Sequence, residues 1–241
     1  MAAGCDKQPR AAPPPEAPPH AAAPGISAPG KAQPVSPPGQ LASAVGSYVG
    51  MFGKNKMTLF IDAHDPSAGT IIGRSVTAGN DRPFAGTAIV KAGQLLASVK
   101  EPGDHADDGI FELTFASQEV VSGTWTPSGK GTAKQFTLTR RTFAYDEDAG
   151  QYARFSKEKV SQDDISDMSI GEVRIALNEI YARHGYNFKN KDMRRHFDTQ
   201  DWYMPMHHDV RKDLTEIEAA NIATLTKYKK FMEEYGEDFG R

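Results

Sequence analysis

The sequence predicts a multi-domain α+β protein: an antiparallel eight-stranded, barrel-like β-meander followed by a small all-α domain. Three observations predict it. Between about 45 and 145, short alternating apolar runs are separated by Gly, Asn and Pro turns. From about 160 the apolar spacing becomes helical. Ahead of both, eleven of the sixteen prolines lie between Pro9 and Pro38. The 241 residues therefore divide into a Pro/Ala-rich segment 1–44, a β domain 45–145, a connector 146–165 and a helical domain 166–236.

Bulk properties narrow the function classes. A net charge of -3 and a pI near 6.2 provide no overall basic field for nucleic acid. Cys5 is the single cysteine, so an intramolecular disulfide and a Cys-based zinc site are excluded. No apolar run approaches the roughly 18 to 20 residues of a membrane-spanning helix.

The first six residues end in Ala3-Gly4-Cys5-Asp6. The small-small-Cys part resembles a bacterial lipoprotein signal, in which the Cys becomes the first residue and carries the lipid. No basic or apolar segment precedes it. The resemblance thus implies a start codon further upstream, or a signal removed from this version. It further implies a membrane anchor at Cys5. Asp6 matches the enterobacterial rule for inner-membrane retention. Residues 7–40 are Ala, Pro and Gly with few large apolar side chains, a composition that cannot offset its own ordering entropy. We read segment 1–44 as a disordered tether that holds the folded part away from the anchor.

Eight strands are predicted: Ser47–Phe52, Met57–Asp62, Thr70–Val76, Phe84–Lys91, Gln94–Lys100, Ile110–Ala116, Val120–Thr126 and Gln135–Thr142. All connections read as hairpins, which favours a barrel over a sandwich. Phe111, Leu113 and Phe115 alternate with polar neighbours, as do Phe136 and Leu138, so one face is buried. Gly86 and Gly123 suit bulges or barrel corners. Glu101, Asp104, His105, Asp107 and Asp108 share one loop. A cation site is conceivable there, but the spacing lacks an EF-hand anchor, and a solvated acidic loop is the expectation. Thr124-Trp125 either line a ligand mouth or fill the barrel end, and filling is expected. The texture resembles lipocalin- and avidin-type meanders in architecture only.

In the last third, Ser169-Ile170-Gly171-Glu172 is a capping box, with Met168 set to staple onto Val173. Val173, Ala176, Leu177, Ile180, Tyr181 and His184 form one helical face. Gly185 follows as a left-handed cap, with Arg183 and His184 in the last turn. Asn190 caps a short helix to Phe197. Thr215-Glu216-Ile217-Glu218 caps a long helix to about Tyr235, stopped by Gly236. Its inner stripe is Ile217, Asn221, Leu225, Tyr228, Met232 and Tyr235. A buried Asn221 needs a partner, expected in the Tyr186–Phe188 or Trp202 loop. Arg183 is expected to pair with Glu218 or to cap loop carbonyls.

Tyr181-Ala182-Arg183-His184-Gly185, with Tyr186, Phe188, Met193, Phe197, Trp202-Tyr203, Glu218 and Asn221, resembles the bacterial YARHG domain. That family is described as an envelope or extracellular module, often C-terminal. The resemblance implies a location and an architecture, and no reaction. Read from the residues alone, the five-residue motif is a structural corner. Trp202 and Tyr203 are a possible binding surface for sugars or peptides, or else packed core, the expected alternative. A zinc site from His184, His207 and Glu218 would need a loop to fold over. No metal, cofactor or catalytic residue is assigned.

These observations favour a non-enzymatic envelope lipoprotein, periplasmic or at the cell surface, that binds or scaffolds cell-wall material or an envelope protein. Two alternatives stay open: a carrier holding a small hydrophobic molecule in the barrel, and a hydrolase using the His and acidic residues of the helical domain.

Overall fold

Alternating apolar residues and tight turns bring eight strands together in chain order. They are β1 (Gly46–Phe52), β2 (Asn55–Asp65), β3 (Thr70–Thr77), β4 (Asn80–Lys91), β5 (Gln94–Lys100), β6 (Gly109–Phe115), β7 (Val120–Pro127) and β8 (Lys134–Arg140). The structure, a computed structural model, describes residues 43–103, 105 and 108–235. Every neighbouring pair is antiparallel, and β8 returns to β1 through Tyr48↔Arg140 and Val49↔Thr139 to close a barrel. Closure removes the free edges that an open sheet would expose. Ala78 and Gly79, with φ of 52° and 79°, both occupy the left-handed region, as a two-residue hairpin with the right-handed strand twist requires.

The barrel interior is filled by its own side chains. Tyr48, Met57, Leu59, Ile71, Leu95, Phe111, Phe115 and Leu138 are fully buried in one continuous cluster. Aromatic rings meet inside it: Phe111 and Phe136 lie 5.9 Å apart, Tyr48 and Phe115 5.6 Å, both near edge-to-face. Ala44, which the sequence groups with the tether, is fully buried here and accepts from the Tyr48 hydroxyl at 3.0 Å.

Two expectations for the barrel strands and loops need correction. The bulge lies between Ile61 and Ala63 of β2, and not at Gly86 or Gly123. Those two glycines instead mark close strand approach. A Cβ at Gly86 would collide with the Ser98 carbonyl, and one at Gly123 would lie 2.5 Å from the Glu112 carbonyl oxygen. The acidic loop is also not simply solvated. Glu101 and Asp108 are buried, Glu101 bonded to Ser75 and Trp125, and Asp108 paired with Arg82. Asp104 and Asp107 of that loop lie outside the described residues, as do Cys5, the rest of residues 1–42, and Gly236.

The helical part holds α1 (Arg154–Lys157), a 3-10 turn (Asp163–Ile165), α2 (Ile170–Arg183), α3 (Lys191–Phe197) and α4 (Glu216–Tyr235). Both capping boxes form: Glu172 N–H donates to Ser169 Oγ and Ser169 N–H to Glu172, while Thr215 and Glu218 repeat the exchange. Asn190 Oδ1 accepts the Asp192 and Met193 amides at 2.9 and 3.1 Å. Phe155, Val160 and Ile165, from the stretch the sequence assigns to a connector, pack with Val173, Ala176, Ile180 and Leu225. The same stretch satisfies Asn221, which accepts from Val160 N–H and donates to the Phe155 and Glu158 carbonyls. The loops expected to serve Asn221 do not, because α4 lies against α1 and the strand-like segment after it. Tyr235, expected on the inner stripe, is exposed.

The barrel docks on the helical domain through cations aimed at main-chain oxygens. Lys56 Nζ donates to the Gln200 carbonyl and, at 3.1 Å, to that of Tyr203. Arg141 donates to Asp201 and Trp202 at 2.5 and 2.8 Å, and Arg74 to Met206 at 3.1 Å. Asn187 completes the seam, accepting Gly79 N–H at 2.8 Å and donating to the Asn80 carbonyl at 2.9 Å. Lys56 is buried, and burial first of all pushes its pKa down, with the nearby Arg141 adding to the effect.

Lys56→Met removes the donor shared by Gln200 and Tyr203; the buried Tyr203 carbonyl loses it, while the Gln200 carbonyl keeps the Tyr203 amide at 3.2 Å. Each unsatisfied group costs about 1–3 kcal/mol. Hydrogen exchange is expected to accelerate across residues 198–207 by at least about tenfold, since 1.4 kcal/mol of local stability is one decade. Unchanged protection there would show that the seam does not depend on Lys56.

Candidate functional site

Each residue of Tyr181–Gly185 has a distinct place in one corner. The corner is a helix end, so its last carbonyls need donors. Gly185 N–H donates to the Ala182 carbonyl at 2.9 Å and Tyr186 N–H to the Tyr181 carbonyl at 3.1 Å, the paired bonds of a Schellman cap. Gly185 has φ of 74°, and a Cβ there would press on the Met206 side chain. Its own carbonyl accepts the amides of Met206 and His207, at 2.7 and 3.1 Å. The glycine thus joins the helix end to the loop that docks on the barrel. Tyr181 is half-buried against Tyr186, and Ala182 is buried beside Phe188, Met193, Phe197 and Tyr203.

Arg183 and His184 turn inward on the same helix end. Arg183 is 2% exposed. It pairs with Glu179 one turn back, and donates to the Ala149 carbonyl at 2.8 Å and to Ser156 Oγ at 3.0 Å. His184 Nε2 lies 2.8 Å from Glu218 Oε2. Because the carboxylate is the acceptor, Nε2 carries the proton. The expected Arg183–Glu218 pair is therefore replaced by two pairs, Arg183–Glu179 and His184–Glu218. Arg183 does cap a loop carbonyl, that of Ala149. Helical spacing explains the exchange: Glu179 lies four residues before Arg183 on one face, within reach without any tertiary contact.

Ser156 joins the two pairs. Its hydroxyl accepts from Arg183 and donates to Glu218 Oε1 at 2.7 Å. Glu218 also accepts from the Tyr145 hydroxyl at 3.0 Å and from Thr215 N–H at 2.9 Å. The Tyr145 ring stacks on His184 at 4.6 Å between centroids. Burial raises the pKa of Glu218, but the bonds from His184, Ser156 and Thr215 outweigh it and hold the carboxyl at about 2. Burial lowers the pKa of Arg183, with Glu179 opposing. Glu179 also accepts the amides of Gln151 and Tyr152, at 3.0 and 2.6 Å. Both carboxylates are thus engaged by the fold on every side.

The other candidate residues do not converge on this corner. His207 and His208 are exposed and His196 is half-buried, so the zinc set His184, His207 and Glu218 does not assemble. Among the described residues no group of three or more His, Cys, Asp or Glu is placed to hold a metal ion. Tyr203 is 1% exposed, with its hydroxyl on the Tyr186 carbonyl at 2.8 Å, and cannot serve as an aromatic platform. Burial drives the pKa of that hydroxyl far up. Trp202 is half-buried, edge-on to Phe197 and Tyr203. Both rings join Phe188 and Phe197 in one aromatic cluster, in line with the packed-core alternative. Among the described residues, Trp202 Nε1 and Asp198 Oδ2 are buried without a hydrogen-bond partner. Burial lifts the Asp198 carboxyl to about 6, against the pull of Lys56.

A second polar centre lies at the barrel end that carries the β1–β2, β3–β4, β5–β6 and β7–β8 connections. A cavity of about 180 Å³ opens there, lined among others by Phe52, Asn80, Arg82, Glu101, Trp125 and Lys134. The sequence points to Trp125 as a barrel-end residue but does not join it to Glu101. Their bond, at 3.0 Å, reaches across the start of β6, which pairs with both β5 and β7 and has no side chain at Gly109 to block it.

Residues 151–230 match the family model of the YARHG domain. No curated protein and no solved structure matches the chain. The molecule is a closed eight-stranded antiparallel barrel followed by a helical YARHG domain.

His184→Ala leaves Glu218 without its imidazole donor and is expected to destabilise the protein by about 2–3 kcal/mol, the range for removing a partner from a buried charged group. Denaturant unfolding measures the loss; unchanged stability would remove the corner role of His184. Acid provides a separate check. With a folded-state pKa of about 2 against an ordinary 4.5, Glu218 contributes stability that is complete above pH 4.5 and is lost as pH falls toward 2. That contribution is roughly 3 kcal/mol. The fall between pH 4.5 and 2 is expected to be smaller in His184→Ala, whose Glu218 titrates closer to its ordinary value.

Proposed function

We propose that this protein is a non-enzymatic lipoprotein of the bacterial envelope, anchored through Cys5, with a binding or scaffolding role. A Pro-rich tether would present the barrel and the YARHG domain as one docked body to cell-wall material or an envelope protein. The observation that carries the non-enzymatic part is the full engagement of Arg183, His184, Glu179 and Glu218 within the fold. A general acid or base needs a proton site open to substrate, and these groups spend their hydrogen bonds on Ala149, Ser156, Tyr145, Thr215 and the Gln151–Tyr152 amides. The hydrolase reading loses its residues on the same ground. A carrier reading needs a hollow barrel, and apolar side chains occupy the interior. Anchoring is supported by Ala3-Gly4-Cys5-Asp6 followed by the proline-rich stretch.

The test of anchoring uses the gene with its upstream DNA, expressed in a bacterium fed labelled palmitate. Label and membrane association are expected in the wild type and absent in Cys5→Ala. A wild-type product that starts at Met1 and takes up no label would overturn the anchor.

A further inference from the structure

The cavity at the barrel end is a built site. Glu101 forms its wall and is 2% exposed. One carboxylate oxygen accepts from Ser75 Oγ at 3.1 Å, the other from Trp125 Nε1 at 3.0 Å. The Gly109 N–H is a third donor to the carboxylate, which keeps one further acceptor position. The Trp125 indole lies against Gly109 at its N–H edge, where a Cβ would collide with it. Phe52 stands edge-to-face with Trp125, centroids 5.8 Å apart, so the wall offers two rings and one carboxylate.

An ammonium group already stands against those rings. Lys134 Nζ lies 4.9 Å from the Phe52 centroid and 5.1 Å from that of Trp125. Lys134 is an exposed residue at the first position of β8, free to swing into solvent. The other cation of the rim, Arg82, is taken by Asp108. When Lys134 withdraws, the cavity is left with aromatic faces and the buried charge of Glu101, a combination that attracts a cation.

We propose that this barrel end binds a primary alkylammonium group on an unbranched chain, the chemistry of a lysine side chain, between the aromatic wall where Lys134 rests and Glu101. The incoming ammonium rests on Phe52 and Trp125 and donates to Glu101. The cavity of about 180 Å³ has room for one such side chain. Burial pushes the Glu101 carboxyl up, against the bonds from Trp125 and Ser75 and the nearby charge of Arg82. Neither Cys5 nor the membrane enters this inference, so it stands apart from the anchoring proposal.

The test follows the Trp125 indole N–H resonance of the full chain by NMR, identified as the one lost in Trp125→Phe. n-Butylammonium is titrated into wild type, Lys134→Ala and Glu101→Gln, with 1-butanol and tetramethylammonium as controls. The expected result is saturable binding in Lys134→Ala, at least about fivefold tighter than in wild type, where Lys134 competes. Binding is lost in Glu101→Gln, 1-butanol is silent, and tetramethylammonium, which cannot donate to Glu101, binds more weakly. If Glu101→Gln fails to fold, the comparison of wild type with Lys134→Ala decides. Nα-acetyl-lysine amide distinguishes the source. If it binds with n-butylammonium, the ligand is a peptide side chain; if n-butylammonium binds alone, it is a free small amine. No saturable shift in Lys134→Ala, or an equal response to 1-butanol, overturns the proposal.

Discussion

The C-terminal half of the molecule depends on keeping the Arg183 guanidinium satisfied where water does not reach. A buried guanidinium cannot discharge by losing its proton, so each of its three nitrogens must find an oxygen. Glu179, the Ala149 carbonyl and Ser156 provide them. Through Ser156 the demand passes to Glu218, and from Glu218 to His184, Tyr145 and the first turn of α4. One charged side chain thereby fixes where α2, α4 and the segment before α1 meet. Such a network is costly to interrupt at any member, because the remaining charges stay buried.

The order of the network also explains why the chain between barrel and α1 is part of the helical body. Ala149, Gln151, Tyr152 and Ser156 are read by charges on α2 and α4, and Phe155 enters the apolar cluster. Charged composition makes this stretch look like a linker. What defines it is main-chain amides and carbonyls facing buried partners.

Local signals in the sequence lead to local structure. Strand positions follow from alternation and turns, and both capping boxes from their spacing, because each involves residues within a few positions of one another. Gly185 as a left-handed cap belongs to the same class. Partner choice is less legible. The Arg183–Glu179 pair obeys the four-residue rule, but spacing alone does not choose between Glu179 and Glu218 as the partner. The Asn221 partners, the Glu101–Trp125 bond and the fate of Tyr203 depend on which elements fold onto one another. No spacing in the chain encodes that. Exposure of a Trp-Tyr pair cannot be read from its loop position when an aromatic cluster forms beneath it.

The seam between barrel and YARHG domain is built from cations on one side and peptide carbonyls on the other. A carbonyl is the same acceptor whatever side chain its residue carries. Lys56, Arg74 and Arg141 therefore grip the course of the 200–206 backbone rather than its composition. Substitutions along that loop can alter the surface shown to a partner while the grip persists, provided the backbone path is kept. Exposed loop positions such as Asp201 can therefore change while Lys56, Arg74 and Arg141 must stay.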